Sequence, residues 1–228
     1  MAALVWPTVV ALPRLQWRHR LIRTAARGFL WATGASPRVE AEAELPGASV
    51  MIVANHASYL DSLVIAAVIP GPLSFVAKEE LARQWVAGPF LRRIGTLFVR
   101  RIDPKGGVED TQHQLEAARA GARIVSFPEG TLTRRPGLLG FHLGAFLVAA
   151  QAGIPVLPVT VRGTRSILRG DQWFPRRGEI VVHVSRAVPP QGSDFAAAVQ
   201  LRDRVRAAML EHYGEPDLAR EQISLEAV

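Results

Sequence analysis

The chain has 228 residues with no low-complexity break, and 49% of them are apolar, which excludes an intrinsically disordered protein and supports one domain with a substantial core. Lysine and arginine outnumber aspartate and glutamate by 27 to 20, giving a formal net charge of +7; this points to an anionic partner, whether nucleic acid, an anionic membrane face or a phosphorylated substrate. There is no cysteine, so disulfides, thiolate nucleophiles and cysteine-ligated metal sites are excluded.

In chain order, residues 1–13 are apolar but too few to cross a bilayer, which takes about 20 apolar residues. The positive charge follows this run, at Arg14, Arg18, Arg20 and Arg23, rather than preceding it. That order fits a shallow element at a membrane surface better than a secretion signal. Over residues 14–34 the apolar residues Leu15, Leu21, Ile22, Ala25, Ala26, Phe29 and Leu30 share one broad helical side and the arginines the other. Two readings stand together here: a helix packed on the domain's own core, and an interfacial helix on anionic lipid.

A polar passage containing Glu40, Glu42 and Glu44 ends at Pro46-Gly47. The spacing then predicts strands over 49–54, 73–77, 96–99, 123–127, 155–161 and 179–185. Between them it predicts helices over 59–69, 79–93 (interrupted near Gly88-Pro89), 108–119, 141–152 and 195–213, the last capped by Ser193 or Asp194. Strands alternating with helices predict an α/β fold, with a mixed, largely parallel central sheet flanked by helices. The expected division is a membrane-contact helical region over 1–36, a main domain over 37–214 and a polar, fraying tail over 215–228.

Four segments carry candidate chemistry. Asn55-His56-Ala57-Ser58-Tyr59-Leu60-Asp61 follows a strand, where such sheets gather reactive groups. An acid five residues after the histidine can curl back over the first helical turn and bind one imidazole nitrogen, leaving the other as a base. Gly95 to Arg101 ends in two arginines able to fork onto phosphate, although paired arginines are also ordinary solvated surface. Phe127-Pro128-Glu129-Gly130-Thr131 is either a plain turn or a place where an acid accepts or orients a substrate hydroxyl; Arg134 and Arg135 add charge after it. In Gly153 to Val159, the second proline, Pro158, suggests an edge strand or a bulge. His19, His113, His142, His183 and His212 have no ligand-like spacing and are expected to be structural or exposed.

Taken together and in this order, the four segments resemble the motifs of the glycerolipid acyltransferase family typified by bacterial 1-acylglycerol-3-phosphate acyltransferase. N-H-x-x-x-x-D matches Asn55, His56 and Asp61; G-x-x-F-[IV]-x-R matches Gly95, Phe98, Val99 and Arg101; F-P-E-G-T matches Phe127 to Thr131; the proline-centred fourth matches Ile154 to Val159. The resemblance covers about residues 20–210. It implies His56 as general base and Asp61 as its orienting partner. Asn55, Gly95, Phe98, Arg101, Phe127, Pro128, Glu129, Gly130 and Thr131 are then expected around the substrate. Ile154 and Pro155 are expected in an apolar wall beside an acyl chain, or else in ordinary core. The acyl donor would be acyl-CoA or acyl carrier protein, the acceptor a lysophospholipid, and neither a cofactor nor a metal is implied. Association with anionic lipid at the cytoplasmic membrane face is expected.

One position departs from the pattern. The family commonly has arginine directly after F-P-E-G-T, thought to help hold substrate phosphate, and this chain has Leu132. Arg134 or Arg135 can compensate, or the acceptor differs from lysophosphatidate. Nucleic acid is a poor partner, because the 7% aromatic residues do not interleave with the arginines as a stacking platform requires. No G-x-S-x-G elbow appears, which speaks against a lipase or thioesterase.

Overall fold

The computed structural model describes residues 2–47, 49–100, 104–132, 135–168 and 175–219. Helices α1 (Ala2–Ala11) and α2 (Leu15–Ala32) lead into strand β1 (Pro37–Ala41). Then come β2 (Val50–Ala54), α3 (Leu60–Val68), β3 (Ser74–Lys78), α4 (Glu79–Arg83), α5 (Ala87–Arg93), β4 (Leu97–Val99), α6 (Pro104–Arg119) and β5 (Arg123–Ser126). The second half runs β6 (Leu138–Leu139), α7 (Gly144–Ala152), β7 (Val156–Arg162), α8 (Thr164–Ile167), β8 (Ile180–Val184), α9 (Phe195–Tyr213) and β9 (Asp217–Leu218).

The central sheet has the order β1-β8-β7-β2-β5-β3-β4. Every neighbouring pair is parallel except β7 with β8, so the expected mixed, largely parallel sheet is the one found. Alternation along β2 divides the core in two. Val50, Ile52 and Ala54 face a cluster holding Ala26 and Leu30 of α2 and Val64 and Ile65 of α3. Met51 and Val53 face another, built on Phe146 of α7 and Leu201, Val205 and Met209 of α9. A strand buried on both faces reads as a continuous apolar run, as Val-Met-Ile-Val-Ala does.

Several expectations shift. β1 was hidden in the polar passage: it is a sheet edge with three of its five residues exposed, so no apolar run marks it. The helical stretch over 79–93 breaks at Gln84 to Val86, before Gly88. Gly88 is where α5 folds back on α4, and a Cβ there would lie 2.3 Å from the Ala82 carbonyl oxygen. Pro158 is not on an edge, since β7 lies between β2 and β8. A bulge does accompany it: Val156 pairs with Val188, but Val159 pairs with Val184, so two residues of β7 stand opposite three of the partner segment. The tail starts ordered, because β9 pairs with β6.

The N-terminal helices pack differently from a simple apolar-in, arginine-out scheme. Arg18 is buried, donating to the carbonyls of Leu12, Pro13 and Arg93. Arg23 donates to the carbonyls of Ala67 and Val68. His19 is buried between Ile94 and Leu73. Their guanidinium and imidazole groups therefore bind α2 to the domain, and Leu15 is left exposed. No helix among the described residues is long and apolar enough to cross a membrane.

Candidate active site

Five parallel strands, β2, β3, β4, β5 and β7, end on one side of the sheet, and the loops after β2, β5 and β7 meet there. β2 hands over to Asn55, which is fully buried. Its side-chain amide donates to the Val161 carbonyl at 2.9 Å and its carbonyl accepts from the Val161 N–H at 2.7 Å. Asn55 thus continues the β2–β7 ladder by one side chain.

His56 follows with its side chain 20% exposed. Asp61, in the first turn of α3, is fully buried. One carboxylate oxygen, Oδ2, accepts from the backbone N–H groups of Ala57 and Ser58, both at 2.7 Å, and lies 3.1 Å from His56 Nδ1. The acid has curled back over the turn as the spacing predicted. Its other oxygen, Oδ1, accepts from the Thr164 hydroxyl at 2.6 Å. These contacts fix the carboxylate and direct Nδ1 of the imidazole toward it, so Nε2 is the nitrogen left for a proton.

Phe127, at the end of β5, stacks on the His56 ring with centroids 4.2 Å apart. Pro128 is buried, and its carbonyl accepts from the His142 N–H. Glu129 is buried, and its two oxygens accept from the backbone N–H groups of His56 at 2.6 Å and Leu139 at 3.0 Å. These contacts make it a strut under the histidine. Burial pushes its carboxyl up to about 7 against the pull of those two N–H groups, and the Asp61 carboxylate nearby pushes the same way. Gly130 turns back so that its N–H donates to the Phe127 carbonyl. Thr131 is half-buried and Arg135 exposed at the mouth of this loop.

Among the other expected residues, Gly95, Phe98, Ile154 and Pro155 lie apart from this cluster. Phe98 sits on edge strand β4, three strands from β2, which is about 14 Å of lateral separation. Gly95 ends α5 at the opposite end of that strand. Arg100 is taken by Glu109 at 2.6 Å and Asp110 at 3.2 Å. Arg101 and Arg134 lie outside the described residues. Ile154 is buried and Pro155 half-buried at the start of β7. The Pro155 carbonyl accepts from the Met51 N–H, so this pair is at the far end of the sheet from His56, in the core.

Sequence reasoning missed the loop after β7. Gly163 has φ +91°, and a Cβ there would lie 2.0 Å from the Glu179 carbonyl oxygen. Only glycine fits, and the turn it allows delivers Thr164 to Asp61. A cavity of about 240 Å³ opens beside it, lined by Ala57, Arg162, Thr164, Arg165, Tyr213 and Glu215 among others. Arg165 reaches Glu215 at 3.0 Å, but among the described residues its buried Nε and NH1 have no hydrogen-bond acceptor. The position of Gly163-Thr164 directly after a central strand was the available signal.

The model of the family described as Acyltransferase matches residues 36–162, more than half of the chain. A 1-acyl-sn-glycerol-3-phosphate acyltransferase of Chlamydomonas reinhardtii is 32% identical over 72% of this chain and 48% of its own length. The chain spans about half or less of that relative and of its counterpart from Brassica napus, of which it covers 45%. A lyso-ornithine lipid O-acyltransferase of Pseudomonas aeruginosa is 30% identical over 84% of this chain and 79% of its own. The crystal structure of the 1-acyl-sn-glycerophosphate acyltransferase of Thermotoga maritima superposes with a TM-score of 0.74 at 22% identity, covering 92% of this chain and 86% of that one, and so shares the fold. On the family match and the Pseudomonas relative, with the His56–Asp61 pair at the sheet's reactive end, the chain belongs to the glycerolipid acyltransferase family.

Proposed function

We propose that the protein transfers a fatty acyl group from the thioester of acyl-CoA or acyl carrier protein to the free hydroxyl of a lysophospholipid, with 1-acylglycerol-3-phosphate as the acceptor and phosphatidic acid as the product. The observation that carries this reading is the His56–Asp61 pair, with Nδ1 held and Nε2 left for the acceptor. Nε2 takes the hydroxyl proton as the alkoxide oxygen attacks the thioester carbonyl. The tetrahedral adduct collapses with loss of the thiolate, which recovers the proton from the imidazolium. Asp61 supports the imidazolium charge in between. No acyl-enzyme is needed, and Ser58 supports none: its buried hydroxyl donates to the Leu168 carbonyl at 2.8 Å.

An anionic acceptor is supported by the cavity next to this pair. Arg162 and Arg165 face one carboxylate there, Glu215, and the unpartnered donors of Arg165 favour an anion. Leu132 follows F-P-E-G-T and Arg100 is held by acids, whereas these two arginines line a cavity that also touches Ala57, the residue after the base. A phosphate-free lyso-aminolipid is the second reading, favoured by Leu132 and by the coverage of the Pseudomonas relative.

A membrane surface is the proposed setting. Trp17, Arg20, Thr24, Arg27 and Trp31 recur at spacings of three and four along α2, and all are exposed. Aromatic and basic residues on one stripe suit an anionic interface.

The test is thioester consumption in mixed micelles with lysophosphatidate, other lysophospholipids and a lyso-aminolipid, for wild type and Arg165→Gln. The expected result is a preference for lysophosphatidate, with KM raised in the variant and kcat kept. Transfer only to the phosphate-free acceptor would overturn the first reading in favour of the second.

A further inference from the structure

Three donor groups from three distant stretches of sequence meet at the β1 edge of the sheet, and acyl transfer uses none of them. Glu42 follows β1 and is held in register by its N–H on the Val184 carbonyl. His183 lies in β8, its side chain 10% exposed; His212 lies in the last turn of α9 and is about one-third exposed. Oε1 of Glu42 is 2.9 Å from His183 Nε2 and 3.2 Å from His212 Nε2. One ligand atom from each of the three residues lies within 4.8 Å of the others.

We infer that Glu42, His183 and His212 bind one divalent cation of the zinc class, clamping the β1–β8 edge to the end of α9.

The spacing of the donor atoms supports this. Zinc bonds to imidazole nitrogen at about 2.0–2.1 Å and to carboxylate oxygen at about 2.0–2.2 Å. Two ligands on a tetrahedron of that size are then about 3.3 Å apart, a few tenths more than the two distances from Glu42 Oε1. Both Nε2 atoms lie beside the same oxygen, although His183 alone hydrogen-bonds it and the nearly parallel rings aim their lone pairs side by side. A cation between them displaces that oxygen and splays the two rings, now stacked with centroids 3.5 Å apart. His212, on the exposed side, has the freedom to move.

The surroundings suit a cation as well. The second nitrogen of His183, Nδ1, is buried without a hydrogen bond among the described residues and lies 3.7 Å from Glu40 Oε2. A carboxylate behind the non-ligating nitrogen is the usual support of a metal-bound histidine. Glu42 Oε2 is steadied by the Arg186 N–H at 3.1 Å. Two carboxylates thus face two imidazoles, and the side chain of Arg38 pairs with Glu40 from outside at 3.2 Å. Two nitrogens and one oxygen select zinc, nickel, copper or cobalt over magnesium and calcium, which prefer all-oxygen sites. The fourth position is open to water.

The test uses the full chain stripped of metal with a chelator and titrated with zinc chloride, read by calorimetry and by thermal melting. Wild type is expected to bind one equivalent, with Tm raised by roughly 5 °C at a hundredfold excess over Kd. Glu42→Gln and His212→Gln, both at partly exposed positions, are expected to lose the binding and the shift. Absence of binding in wild type would overturn the inference. So would one-equivalent binding that survives both substitutions, which would place the metal elsewhere, for example at His56 and Asp61. Acyl transfer plays no part in this readout.

Discussion

Asp61 accepts four hydrogen bonds, two from backbone N–H groups, one from a threonine hydroxyl and one toward the histidine, while Glu129 accepts two backbone N–H groups from below. Two buried carboxylates therefore define where one imidazole points. The motif spacing made the Asp61 contact legible, because helical geometry alone returns a side chain in the first turn to the residues before it. Thr164 and Glu129 were not legible as supports, since one is 103 residues from Asp61 and the other 73 from His56. Glu129→Gln keeps the shape but offers one acceptor oxygen for two N–H groups. Leaving one buried donor unmatched costs about 1–3 kcal/mol. A displaced base slows transfer by up to about 100-fold. Melting and initial rates check both, and an unchanged rate in a destabilised variant would separate the strut from catalysis.

The elements that were read correctly are those whose periodicity is set by burial: β2 and α9, for example. Those missed or shifted, β1 and the break between α4 and α5, are an exposed edge and a backbone-to-backbone contact, neither of which leaves a periodic trace. α2 is instructive because its polar residues do the anchoring. Burial lowers the pKa of His19 below its ordinary value near 6.5, so the helix is docked with a neutral ring that donates to Ile94 and accepts from Leu73. The unfolded chain then binds more protons as pH falls through 6.5, and stability present above that pH is lost below it. Glu129 has the opposite sign. Its raised carboxyl pKa favours the folded state fully below the ordinary 4.5, and this contribution is lost as pH rises through about 7. Melting temperatures of wild type and His19→Gln between pH 5 and 7 isolate the histidine. The variant is expected to lose part of the acid sensitivity, and parallel curves would contradict the neutral docked ring.

Across the whole molecule, the strand ends that hold the base, the cavity with its two arginines and the N-terminal helices form one chain of consequences. The proposed lipid acceptor would be met at a surface, and the exposed α2 stripe of tryptophan and arginine is the proposed contact. Trp31, 77% exposed, is expected to be shielded from an aqueous quencher by vesicles containing anionic lipid. Trp17→Ser together with Trp31→Ser is expected to weaken co-sedimentation with those vesicles, and undiminished binding would move the contact elsewhere, for example to Trp85, which is 88% exposed. The central claim is that His56 is the base. The most direct measurement is the initial rate of thioester consumption with lysophosphatidate for wild type and His56→Ala, with both melting curves alongside. The account predicts a loss of roughly 100- to 10,000-fold with the melting temperature nearly unchanged; equal rates in the two proteins would contradict it.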